Sequence, residues 1–359
     1  MRARLVRLAE ERLDGVFGGI LATDLRDGTG RPVLRKGTRL GERHRSDLVA
    51  RAGSVVHLVE LDAGEVEQDE VARRLARAIA GAGAAADAPV QGQVRVRATC
   101  RGLLRVDSGA VARINARPPL LCFTRPSGQI LLAGDEVAGT KSASLATPER
   151  TLRDAEREAA ATPVVSVSTF QRRRIAVVMT DRLQPRGRAL MADAIRRKIA
   201  WFGSAVVGLA EIEHEAVAIE QELRASLGRG AELVLLSGAN SLDPLDAVFD
   251  GVRAAGGTIE RTGVPAHPGS MVWIGTIGPA TVLGIATCAG FGKDTALDLL
   301  LARVLAGERA VTAADELGAA GLVEGPTARA WFPPYERDAV EAAGPVAPAG
   351  EREQEARAS

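Results

Sequence analysis

The chain has 359 residues, of which 46% are hydrophobic and 25% charged, and its formal net charge is +1. This charge argues against a nucleic-acid or anionic-membrane partner, and only 3% of the residues are aromatic, which leaves few rings for stacking on single strands. No apolar run reaches the roughly 18 to 20 residues of a membrane span, and the N-terminus lacks the apolar core of a signal peptide. The 3 cysteines include no CxxC pair, which fits a reducing compartment. Together these features predict a cytoplasmic protein with neither nucleic-acid nor membrane partners.

The first half of the chain is predicted to be β-rich. Residues 1–82 combine strand-like runs and turns with the helical stretch EVEQDEVARRLARAIAGAG, whose Val71 and Ile79 share one face, so we expect a small α+β domain. Residues 88–142 alternate apolar and polar positions with Pro and Gly punctuation, which predicts a β-rich domain. The charged, Ala-rich stretch 143–171 is interpreted as a linker or connecting helix.

Residues 172–310 alternate short apolar strands with amphipathic helices. Strands are predicted within RRIAVVMT, SAVVGLAEI, AELVLLSG and MVWIGTIGPATVLGIAT. Helices are predicted within GRALMADAIRRKIAWFG, EHEAVAIEQELRASLGRG, PLDAVFDGVRAAGG and KDTALDLLLARVLAGE. This order indicates βαβ units and therefore an α/β domain with three layers around a mostly parallel sheet. Residues 311–359 are predicted to be an extension with one small helix, largely disordered after residue 335.

The most informative stretch is AELVLLSGANSLDPLDAVFD, residues 231–250, in which a strand meets a polar turn and then a helix. Open α/β sheets bind ligands at the carboxyl ends of their strands, and helix N-termini attract anions. Gly238 would let a ligand approach the main chain closely. Asp243 before Pro244 has the pattern of an N-cap, so Asp243 either caps the helix or contacts a ligand. Asp246 either stabilises the first helical turn through its negative charge or has a functional role. The other candidate contacts of this turn are Ser237, Ala239, Asn240 and Ser241.

A second glycine turn, GFGKDT at residues 290–295, follows the strand-like run VLGIA. Gly290 and Gly292 would free the backbone to turn its amides toward a phosphate, and Lys293 could place a charge on it. A tight connection with Lys293 in solvent is the alternative. The turn matches neither the P-loop nor the GxGxxG fingerprint. Two further candidate contacts follow the first strand, Thr180 and Asp181.

Other reactive residue types show no functional spacing. The 4 histidines have no His or Cys partners at metal-ligand spacing, so no metal site is predicted. No GxSxG elbow is present to anchor a hydrolase triad. Cys288 is either a reactive thiol or a small packing residue.

The turn SGANSLDPLD resembles the TGGTGxxPRD and TGGVSxxxxD signatures of the molybdopterin-binding domain. This domain occurs in molybdopterin adenylyltransferases and in molybdopterin molybdenumtransferases. Ser237 stands at the first Thr of the signature, Gly238 matches its first Gly, and Ala239 stands at its second Gly. Asp246 matches its final Asp.

A later run, GGTIERTGVPAHPGSMVWIGTIG, resembles a molybdenumtransferase segment in which Pro268 and Gly269 match a Pro-Gly pair. The likeness covers roughly residues 172–306. Three departures are clear: Ala239 replaces the second Gly of the signature, Asn240 replaces its Thr or Val, and the LPGNP turn of the family reads IATCAGFG here.

The resemblance implies a molybdopterin-binding protein of molybdenum cofactor biosynthesis, whose ligand is molybdopterin or its adenylylated form, with Mg²⁺ as an optional ion. A transferase of this kind inserts molybdate into adenylylated molybdopterin, and Asp246 would be its catalytic residue. Because the LPGNP turn is not kept, a non-catalytic cofactor carrier or sensor stays open, as does an unrelated nucleotide-binding α/β protein. Enzyme activity is therefore left undecided. The resemblance also allows a homo-oligomer and a molybdoenzyme or cofactor-pathway partner.

Overall fold

The computed structural model describes residues 1–286, 288–289, 293–322 and 331–335, with the backbone alone for residues 10, 11, 319 and 320. The protein is a mixed α/β protein that divides into two compact units, Met1–Thr169 and Phe170–Ser359. Within the described ranges, no helix combines the length and the apolar character that crossing a membrane requires.

Short strands dominate the first unit and pair in small antiparallel sheets of two to four strands. The strands are β1 (Arg2–Arg7), β2 (Ile20–Leu21), β3 (Leu25–Arg26), β4 (Pro32–Leu34), β5 (Val55–Glu60), β6 (Glu65–Glu67), β7 (Ala84–Ala86), β8 (Gln93–Ala98), β9 (Gly102–Val106), β10 (Leu120–Thr124), β11 (Ile130–Leu131), β12 (Glu136–Ser142), β13 (Ala146–Pro148) and β14 (Val165–Thr169). The helices are α1 (Arg45–Val49), α2 (Gln68–Ile79), α3 (Ser108–Asn115) and α4 (Glu149–Ala161).

Helices α2 and α4 share one hydrophobic core in this unit. Val71 and Leu75 of α2 are fully buried there, together with Leu152 and Ala155 of α4. Helix α4 lies within 143–171, the stretch interpreted as a linker or connecting helix, and its apolar residues recur at helical spacing on one buried side. This stretch therefore contributes to the core of the unit. The predicted boundaries inside the unit stay predictions.

The second unit contains a six-stranded sheet with the order β16-β15-β17-β20-β19-β18. The strands are β15 (Arg174–Met179), β16 (Ala205–Glu211), β17 (Leu233–Ser237), β18 (Gly257–Thr262), β19 (Trp273–Ile277) and β20 (Ala280–Ile285). The helices are α5 (Pro185–Trp201), α6 (Ala216–Gly228), α7 (Ala247–Ala254), α8 (Ala296–Leu305) and α9 (Ala310–Glu316). Strands β16, β15, β17 and β20 pair in parallel, whereas β19 pairs antiparallel with both β20 and β18, so the prediction of a mostly parallel sheet is confirmed.

Both sides of strand β15 are buried. Ala176 and Val178 pack in a core with Ile219 of α6 and with residues of α7. Ile175 and Val177, which point to the opposite face of the sheet, are also no more than 1% exposed. A strand that is buried on both faces is typical of a parallel sheet covered by helices. The three-layer arrangement itself stays a prediction.

A buried ion pair joins α5 to α8. The Lys198 ammonium lies 2.6 and 2.7 Å from the two carboxylate oxygens of Asp298, and it also donates to the Lys293 carbonyl at 2.7 Å. The same carboxylate accepts from the Thr295 N–H at 2.8 Å and from the Tyr335 hydroxyl. Burial, assisted by the charge of Asp298, raises the pKa of Tyr335, so the phenol keeps its proton and donates. The Asp298 carboxylate thus connects α5, the start of α8 and Tyr335.

We expect Lys198→Met to lower the free energy of unfolding by about 3 to 5 kcal/mol, because it leaves a buried carboxylate without its counter-charge. Adding Asp298→Asn should recover part of this loss, since the amide removes the charge and keeps an acceptor oxygen. Urea denaturation measures both changes. The exposed Lys293→Met control should shift stability by no more than about 0.5 kcal/mol. A Lys198→Met effect no larger than this control would contradict a stabilising ion pair.

Candidate functional site

Three strand ends meet at one edge of the six-stranded sheet. Met179 at the end of β15 pairs with Ser237 at the end of β17, and Ser237 pairs with Ile285 at the end of β20. Because these strands are parallel, the turns that follow them begin at the same edge, which is where open α/β sheets bind ligands. Two predicted phosphate contacts in the turn after β20, Gly290 and Gly292, lie outside the described residues.

The ends of β15 and β17 approach each other too closely for a side chain at Gly238. This residue has a φ of +99°, and a Cβ atom there would lie 2.1 Å from the Thr180 hydroxyl and 3.1 Å from the Asp181 nitrogen. Glycine is therefore required both by its backbone angle and by the available space. The turn after β17 lies directly against the turn after β15.

The predicted contact residues at this junction bond to one another. Thr180, 3% exposed, donates its hydroxyl proton to the Ser237 carbonyl at 2.9 Å. The buried Ser237 hydroxyl in turn donates to the Asp181 carboxylate. Asp181 is a partly exposed carboxylate at the sheet edge, and its bond from the buried Ser237 hydroxyl fixes its position.

Asp246, 7% exposed, is the N-cap of α7. One carboxylate oxygen accepts from the Val248 N–H at 2.9 Å, and the other accepts from the Asn240 N–H at 2.9 Å. The alternative in which Asp243 caps this helix is wrong, since Asp246 is the cap and Asp243 accepts from the Leu245 N–H in a local turn. Asp246 is the better cap because it also closes the loop back to Asn240. The functional role of Asp246 toward a ligand stays a prediction.

His214 joins this group, although it was not among the predicted contacts. Its Nδ1 lies 3.0 Å from the Thr180 hydroxyl oxygen, and its Nε2 lies 3.5 Å from Asp246 Oδ2. The side chain is 24% exposed. The position of His214 just after β16 could have identified it, because β16 runs parallel to β15 and ends at the same edge.

The segment that contains Pro268 and Gly269 packs against the start of α8. The Pro268 carbonyl accepts from the Ala296 N–H at 2.8 Å, and Gly269 has a φ of +97°, with a hypothetical Cβ 3.0 Å from the Thr295 Cβ. The Ser241 hydroxyl donates to the Met271 carbonyl at 2.8 Å. The two stretches of the family resemblance are therefore in direct contact.

The remaining predicted contacts differ in exposure. Asn240, Asp243 and Lys293 are exposed, and Ala239 is partly exposed. Within the described residues, no group of three or more His, Cys, Asp or Glu side chains could hold a metal ion.

The fold and this edge define an α/β protein with a candidate site at the carboxyl ends of parallel strands. No family model and no curated protein matches the chain. The structure is similar to the molybdopterin biosynthesis MoeA protein of Pyrococcus horikosii, at 15% identity and a TM-score of 0.26, over 89% of this chain and 77% of that one. It is also similar to a NadC deletion mutant, at 14% identity and a TM-score of 0.17, over 46% of this chain and 69% of that one. Similarities of this size assign no family.

We expect Gly238→Ala to destabilise the protein more than Gly256→Ala. Both glycines have positive φ angles, +99° and +86°, so both variants should lose about 1 to 2 kcal/mol from backbone conformation. Only at position 238 would the methyl group collide with a neighbour, which should add about 1 to 3 kcal/mol. Urea denaturation of the two variants measures the difference. Equal losses would contradict the close approach of β15 and β17.

Proposed function

We propose that the protein binds molybdopterin, or its adenylylated form, at this sheet edge and acts in molybdenum cofactor biosynthesis. The main support is the turn SGANSLDPLD, which resembles the molybdopterin-binding signature and lies beside the ends of two neighbouring parallel strands. Its matching residues Gly238 and Asp246 have defined structural roles there: the glycine permits close packing of two turns, and the carboxylate closes the loop.

The chemistry of the edge suits such a ligand. Molybdopterin ends in a phosphate, for which the exposed Lys293 supplies a positive charge. Its aminopyrimidine edge presents N–H donors, which a carboxylate can accept in pairs. We assign this role to Asp181, because it is partly exposed and oriented by the Ser237 hydroxyl.

The geometry around Asp246 favours a carrier or sensor over a transferase. Each of its carboxylate oxygens already accepts a main-chain N–H, and only 7% of the residue is exposed. Because these bonds tie the carboxylate to the loop and little of it is exposed, we assign Asp246 a role in positioning the loop. The transferase alternative is supported by the match of Asp246 to the signature aspartate.

Adding molybdate to the molybdopterin complex distinguishes the carrier or sensor from the transferase, because molybdate insertion would contradict the carrier function.

Purified protein should bind molybdopterin, and its extract should show the fluorescence of oxidised pterin. At a free ligand concentration of 100 times Kd, binding should add about 2.7 kcal/mol to the free energy of unfolding. ATP and NAD, tested under the same conditions, should give no such stabilisation. Stabilisation by either nucleotide without molybdopterin binding would instead favour an unrelated nucleotide-binding protein.

Asp181→Asn should weaken molybdopterin binding about 10- to 100-fold, because a hydrogen bond to a charged group contributes about 1.5 to 3 kcal/mol. The matched control is Asp250→Asn on the exposed side of α7, which should leave Kd unchanged. Fluorescence titration of both variants measures the effect. Equal affinities would remove Asp181 from the site.

A further inference from the structure

His214 lies between two turns of the sheet edge and faces an oxygen atom with each ring nitrogen. Nδ1 is 3.0 Å from the Thr180 hydroxyl, in the turn after β15. Nε2 is 3.5 Å from the Asp246 carboxylate, at the start of α7. The imidazole thus connects two elements that are far apart in the sequence and adjacent in the fold.

The direction of one contact follows from the chemistry of its acceptor. A carboxylate oxygen accepts, so His214 Nε2–H is the donor in the contact with Asp246 Oδ2. The direction of the Nδ1 contact with the Thr180 hydroxyl depends on the tautomer of the ring.

The two contacts differ in how much they can affect a ligand. Thr180 is 3% exposed and its position is already fixed by its bond to the Ser237 carbonyl. Asp246 Oδ2, in contrast, also accepts from the Asn240 N–H, and Asn240 is an exposed residue of the loop. A donor that holds Asp246 Oδ2 therefore influences the conformation of the loop that faces the ligand.

We propose that His214 is a positioning residue for this site, which acts through its Nε2 contact with Asp246 to hold the loop around Asn240 in its binding conformation. The inference rests on the proposed function for the identity of the ligand. The conformational part concerns the free protein and is tested without a ligand.

The test uses two side chains that each reproduce one nitrogen of the imidazole. His214→Gln places an amide N–H near the position of Nε2, and His214→Asn places one near the position of Nδ1. Hydrogen exchange of the Asn240 amide, measured by NMR on the full chain, should be close to wild type in the Gln variant. In the Asn variant and in His214→Ala it should be about tenfold faster.

Molybdopterin affinity, measured by fluorescence titration, should follow the same order. The Gln variant should bind within about threefold of wild type, whereas the Asn and Ala variants should bind about tenfold more weakly. Urea denaturation is the control for a purely structural role, since all three variants should have similar stabilities.

Two sets of results would overturn the inference. Rescue by Asn rather than Gln would show that the Thr180 contact matters, and equal exchange rates in all variants would show that neither contact holds the loop. If exchange changes as expected but the wild type does not bind molybdopterin, the proposed ligand is wrong and the role of His214 in the loop stands.

Discussion

The close main-chain contact between the ends of β15 and β17 determines the arrangement of the candidate site. Because Gly238 has no side chain, the turn after β17 reaches the Thr180 hydroxyl. That hydroxyl can then bond both to the Ser237 carbonyl and to His214. His214 in turn reaches Asp246, so the polar groups of the site form one connected set.

The buried ion pair between Lys198 and Asp298 fixes another part of this unit. Removing two charges from water is unfavourable unless their remaining hydrogen-bonding capacity is also satisfied. Here the ammonium has an additional acceptor in the Lys293 carbonyl, and the carboxylate has additional donors in Thr295 and Tyr335. A lysine suits this position because its three donors diverge from one nitrogen, whereas the guanidinium of arginine is a planar fork. The pair also connects the chain just before α8 to α5.

The sequence predicted the elements of the second unit well, because buried parallel strands and amphipathic helices have distinct apolar patterns. Strand β18 was missed, since its alternating residues GTIERT have the polar character of a loop and form a sheet edge. Asp243 and Asp246 both fit the local N-cap pattern, and what distinguishes them is that Asp246 accepts from the Val248 and Asn240 N–H groups. The roles of His214 and Lys198 depend on partners distant in the sequence, which local spacing does not reveal.

The dual role of Asp246 has a consequence for the motions of the site. The same carboxylate caps the N-terminus of α7 and closes the loop that begins at Gly238. The loop therefore cannot open without breaking its bond to the Asp246 carboxylate. Fraying of the first turn of α7 and opening of the loop should therefore occur as one cooperative event. A ligand that rests on the closed loop would then slow the unwinding of a helix that it never touches.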